Sequence, residues 1–261
     1  QYIVYKTSKP VNSRQLYNSF VKLFKDSGYS QENILKELRY YAEIFGAFVY
    51  GSDKYSDRIN KLLYRLRVLN QTTCYPFLLH VFDDYHQGVI TEETVEKILQ
   101  FILAYLLRRM VCGVPSNTLR GLFTYLYNRI FKVASNKQKY YETLNKFLFT
   151  VSSKDVIPSA AEFERALQKA NIYGNNALCR FLLLDIENGD GKEILQAENL
   201  TIEHIMPQTL SADWSHIRPE EHEEYLHTLG NLSVTGYNSE LSNKSFAEKQ
   251  DIIRENSKAV I

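Results

Sequence analysis

The chain has 261 residues, is 44% hydrophobic, and sets 31 Lys/Arg against 30 Asp/Glu. These values suit one large or two smaller soluble globular domains, and the small net charge makes no case for nucleic acid by itself. Arg108 and Arg109 stop the most apolar run, Lys6, Lys9 and Arg14 interrupt any leader-like start, and Cys74, Cys112 and Cys179 form no CxxC; a membrane span, a signal peptide and a disulfide or zinc framework are therefore not expected, and a reducing cytoplasm is.

Residues 11–190 read as successive helices, over roughly 11–26, 31–49, 54–69 and 73–86 in the first half. The stretch TEETVEKILQFILAYLLRRM follows, with Thr91 placed to cap it, Glu92 and Glu93 in its first turn, and Val95, Ile98, Leu99 and Ile102 on one face. Leu119, Leu122, Phe123 and Leu126 repeat that spacing. Further helices are expected over 137–149, after a capping box of Ser159 and Glu162, and over 173–187. ENGDGK at 187–192 is a turn cluster and the expected domain boundary. It is no calcium loop: counted from Asp185, the sixth position is Asp190 and the twelfth Gln196. The domains are thus taken as 1–190, helical, and 191–261.

Beyond that boundary the period changes. NLTIEHIM and NLSVTG read as strands, PEEHEEYLHTLG as a short helix or an acidic surface loop, and SFAEKQDIIRENS as a helix. Charge divides with the period: residues 191–261 hold 6 basic and 12 acidic groups, residues 1–190 hold 25 and 18. A phosphate backbone is drawn to the first part.

The strand–strand–helix piece gathers groups suited to phosphodiester hydrolysis. Water must lose a proton near neutral pH, which His204 can accept. Glu203 and Asn238 offer the hard oxygens that Mg²⁺ prefers, and Lys244 a positive charge near phosphate. In a regular strand Glu203 and His204 point to opposite faces, so both can serve one centre only where the strand ends or bends.

IEHIMPQ followed by LGNLSVTGYNSELSNKSFAEK resembles the HNH (ββα-metal) nuclease region at the carboxyl end of GmrSD-type, modification-dependent restriction endonucleases. The helical part is similar to that family's middle region, in YPFLLHVF and LLRRMVCGVPSN. The resemblance implies a mainly α chain, a multi-helix domain followed by a small ββα-metal finger. It implies His204 as general base with Lys244 assisting, Glu203 and Asn238 as ligands of Mg²⁺ or Mn²⁺, and Asn243 as a further ligand or phosphate contact. Pro207 and Asn231 then shape the finger. It further implies DNA as partner, bacterial defence against foreign and modified DNA, and an amino-terminal nucleotide-binding domain whose Asp-Gly-Gln-Gln-Arg signature this chain lacks. No CxxC pairs support the finger.

Plainer roles are available for several of these residues. Asn238 after Gly-Tyr is ordinary turn chemistry, and Asn231 can be purely structural. His216, His222 and His227 are expected to be solvated in the acidic insertion, although HEEYLH could hold a stray transition metal. His80 and His86 are expected packed or exposed on a helical face, and Arg108 and Arg109 on helix-end carbonyls. The rival to a nuclease is a non-catalytic helical interaction module that keeps the finger as an inactive fold; intact base and ligand positions favour the enzyme.

Overall fold

Serine and threonine side chains cap several of the helix starts in the first part of the chain. The computed structural model describes residues 1–151, 154–189, 200–236 and 238–256. Its contacts divide into two units, Gln1–Arg109 with Val114–Ile157, and Met110–Gly113 with Pro158–Ile261. The change of contacts thus falls well before the turn cluster at 187–192, whose residues from 190 on lie outside the described ones.

The first unit is helical: α1 (Tyr2–Thr7), α2 (Leu16–Ser27), α3 (Gln31–Tyr50), α4 (Asp57–Val68), α5 (Tyr75–His86), α6 (Glu92–Val111), α7 (Leu119–Phe131) and α8 (Tyr140–Thr150). Ser30, Ser56 and Thr91 accept the backbone N–H three residues on. The helix expected from residue 11 starts only at Leu16. Asn12 accepts from the Arg14 N–H at 3.1 Å and holds Ser13–Gln15 in a 3-10 turn, since short polar side chains compete locally with α-helical bonding.

Helix α5 is buried through Tyr75, Phe77, Leu78, Leu79, Val81 and Phe82 and packs on α1, α3 and α7. Its polar end is bound just as thoroughly. Asp83 accepts from Tyr5 (2.7 Å) and Tyr40 (3.0 Å), and Asp84 from Tyr127 (2.8 Å), Tyr140 (3.1 Å) and Lys137 (2.7 Å). The His80 ring lies between those of Tyr5 and Tyr127, with centroids at 4.1 and 4.0 Å; burial lowers its pKa to about 3. His86 bonds to Tyr40 and Tyr55, one through each ring nitrogen. Arg109 is buried, and it donates to the carbonyls of Pro115 and Val156 in connecting segments, not to helix-end carbonyls as expected.

The second unit holds α9 (Ala160–Lys169), α10 (Asn176–Asn188), β1 (Thr201–His204), α11 (Pro219–Tyr225), β2 (Leu232–Thr235), α12 (Asn238–Leu241) and α13 (Phe246–Asn256). The capping box of Ser159 and Glu162 is formed. β1 and β2 pair antiparallel, with Glu203 opposite Ser233 and His204 opposite Leu232. Asn231 does not open the second strand as expected; Leu229–Asn231 is a 3-10 turn and β2 starts at Leu232. The apolar face of α10 packs on β2. Phe246, an apolar residue at the start of the last helix, is 55% exposed. The chain is therefore mainly helical with a small two-stranded sheet near its carboxyl end. Among the described residues no helix is long and apolar enough to cross a membrane.

Candidate active site

The end of β1 is where the candidate residues meet. The strand stops at His204, two residues short of Met206, because the chain leaves the ladder to be held by another residue. Asn231 Oδ1 accepts from the Met206 N–H at 2.6 Å, and its Nδ2 donates to Met206 O (3.0 Å) and Leu226 O (2.9 Å). One buried amide thus satisfies backbone groups from both sides of the acidic insertion, which a buried backbone requires. Pro207 is buried beside this clamp, and its carbonyl lies 2.9 Å from His222 Nε2.

Glu203 and His204 are both buried, and each takes a different partner. The Lys249 ammonium, 1% exposed, donates to Glu203 Oε1 at 2.6 Å and to the His204 carbonyl at 2.8 Å. The start of α13 explains why it arrives there. Ser245 and Glu248 form a reciprocal capping box, which sets the first turn of the helix, and Lys249 is the residue that follows. Trp214 Nε1 donates to Lys244 O at 3.0 Å and anchors the same turn. Burial pushes the Glu203 carboxyl above its ordinary pKa, with Lys249 opposing that shift.

The His204 ring turns to His227. Its Nε2 lies 3.1 Å from His227 Nδ1, so in the neutral pair one nitrogen donates and the other accepts. Tyr173 stacks on His227 (5.2 Å, 10°) and meets His204 edge-on (4.4 Å, 65°). The segment carrying Tyr173 is tied down by Ile172 N–H donating to His227 O at 2.9 Å. Burial, then the positive fields of His227, Lys249 and His222, lower the His204 pKa to about 4. His204 is therefore neutral at pH 7 and able to take a proton.

The remaining expected residues lie apart from this pair. Asn238 begins α12, and its Nδ2 approaches Ile202 O only at 3.5 Å, the limit of a hydrogen bond. Asn243 and Lys244 are exposed; among the described residues neither makes a side-chain bond to Glu203 or His204. Two expectations are corrected. His227 and His222 are not solvated bystanders: one bonds His204, the other the Pro207 carbonyl. Of these three, His216 alone is exposed, stacked beside Trp214.

The donor set is poorly suited to the divalent ion that the resemblance implies. Its single carboxylate is already satisfied by an ammonium, its nearer amide nitrogen faces a backbone carbonyl, and its second amide is at the surface. Among the described residues no three His, Cys, Asp or Glu side chains are grouped to hold a metal. As placed, these residues do not fit a Mg²⁺ or Mn²⁺ site, because a hard cation needs free oxygens converging on it.

A short antiparallel pair, an asparagine clamp and a helix returning a lysine to the strand end thus make up the second unit. Residues 157–261 match the family model described as the C-terminal domain of GmrSD restriction endonucleases. The match takes in Tyr173, Glu203, His204, His227, Asn231 and Lys249, so the cluster belongs wholly to the matched segment. It ties that segment to a family of restriction endonucleases, hydrolases of phosphodiester bonds. No curated protein and no solved structure matches the chain.

Proposed function

We propose that residues 157–261 form an HNH-type (ββα) endonuclease unit that hydrolyses phosphodiester bonds in DNA, in defence against foreign and modified DNA. The observation that carries this reading is His204: a neutral imidazole at the end of β1, oriented by His227 and flanked by Tyr173. Water bound against the ring gives its proton to a free nitrogen of His204 as it attacks phosphorus, and the bond to the leaving oxygen breaks. A pKa of about 4 makes the ring a weak base in the empty protein; an anionic phosphate nearby favours the charged imidazolium and raises it. Exposed Lys244, held in place through its backbone by Trp214, is suited to meet a phosphate oxygen. Exposed Tyr173 presents a ring on which an unstacked base can rest. No step of this reading runs through a metal ion.

The test is strand cleavage. The protein, incubated with supercoiled plasmids carrying and lacking base modifications, is expected to give nicked or linear products from at least the modified DNA. Intact plasmid in every case, with native Trp214 emission, would refute the reading.

A further inference from the structure

We infer that Lys249 is the resident cation of Glu203 and occupies the place that the resemblance gives to a divalent ion. The inference deepens the nuclease reading by assigning the charge at its carboxylate, and its test is read without DNA.

Three observations carry it. The ammonium is buried at 1% exposure beside a buried carboxylate, 2.6 Å from Oε1. A buried charge is tolerated only when paired and hydrogen-bonded, and here each member is the other's partner. The same ammonium donates to the His204 carbonyl at 2.8 Å, so two of its three protons are spent on consecutive residues of β1. The capping box of Ser245 and Glu248 fixes the turn that delivers it. A divalent ion on Glu203 would therefore have to enter against a fixed positive charge in a site shielded from water, where repulsion is strong. Lys249 acts as a positioning residue: it neutralises Glu203 and holds the backbone at His204, while His204 keeps the chemistry.

The arrangement makes an unusual claim about a substitution. Removing the ammonium should create a metal site. In Lys249→Gln the Glu203 carboxylate loses its cation while its pocket remains. Mn²⁺ is the probe, with free ion read by electron paramagnetic resonance on the whole chain. The parent is expected to show no saturable site below roughly millimolar Mn²⁺, the weak end of carboxylate sites, and Glu203→Gln should bind like the parent. Lys249→Gln should bind Mn²⁺ roughly tenfold or more tightly than the parent, as loss of a neighbouring charge requires. Lys249→Arg, which keeps the charge, should show no such gain. A saturable parent site that Glu203→Gln abolishes would overturn the inference, and so would an unchanged affinity in Lys249→Gln with native Trp214 emission. If Lys249→Gln loses that emission, Lys249→Met keeps the volume without the charge and takes its place. Failure of the protein to cleave DNA leaves these binding results untouched, so the two readings fail separately.

Discussion

Replacing Asn231 by alanine removes all three side-chain bonds of the clamp at once. The partners left behind are the Met206 N–H and C=O, in buried bonds, and the Leu226 C=O, in a partly buried one. Leaving a buried polar group unsatisfied costs about 1–3 kcal/mol, more than the net worth of the bond when it is made. With two such groups fully buried and the third able to reach water, the loss comes to about 3 kcal/mol. Asn231→Asp is the sharper variant. It keeps the acceptor for Met206 N–H but turns a donor towards two carbonyls into a negative oxygen, so it should destabilise at least as much as alanine. The assay is denaturant unfolding followed by Trp214, the chain's single tryptophan, which is buried in this unit and bonded to Lys244 O. The tryptophan transition should move to lower denaturant, while far-ultraviolet circular dichroism of the helical unit is little changed. A shift worth less than about 0.5 kcal/mol, the scatter of neutral surface changes, would show that the clamp does not hold the site.

Acid should weaken the helical unit through His80. Burial lowers its folded pKa to about 3, against an unfolded value near ~6.5. Between those values the unfolded chain binds the proton and the folded one does not, so stability is full above pH ~6.5 and falls as pH drops, by about 1–2 kcal/mol at pH 5. Urea midpoints followed by circular dichroism at the two pH values should show this, and His80→Phe should lose that part of the dependence; an equal slope in the variant would clear His80. At the site, His227→Gln removes one of the positive fields that lower the His204 pKa. The His204 titration seen by NMR should then move up towards the ordinary histidine range, with cleavage falling roughly 10- to 100-fold from lost orientation. An unmoved titration would mean that His227 neither faces nor tunes His204.

The residues found by local pattern differ in kind from those found by packing. Glu203 and His204 could be placed at a strand end because Pro207 lies so near, and Gly230-Asn231-Leu232 marked the second strand to within one residue. The capping box of Ser159 and Glu162 was equally legible, since both partners lie within one helical turn. Lys249 was not. Its charge points to a place at the surface, yet its side chain is inside. A signal was present: Lys249 shares a helical face with the apolar Ile252 and Ile253, and a lysine on an apolar face asks for a buried acid. His227 was hidden by composition. Its acidic neighbours suggest a solvated loop, while its contacts are with Tyr173 and Ile172, more than fifty residues earlier in sequence. The early turn at Ser13–Gln15 was missed because apolar periodicity alone ignores the competing Asn12 side chain.

The proton acceptor is tested most directly by the rate of plasmid nicking under single turnover, compared between the parent and His204→Ala. His204 lies at the end of β1, and its ring bonds His227 and not the backbone; alanine removes a buried ring and the partner of His227, so stability should fall by about 1–3 kcal/mol while Trp214 emission of the folded protein stays native. The expected result is a rate lower by roughly 10²–10⁴, the usual worth of general base catalysis. A natively folded His204→Ala protein that nicks DNA at the parent rate would contradict the assignment.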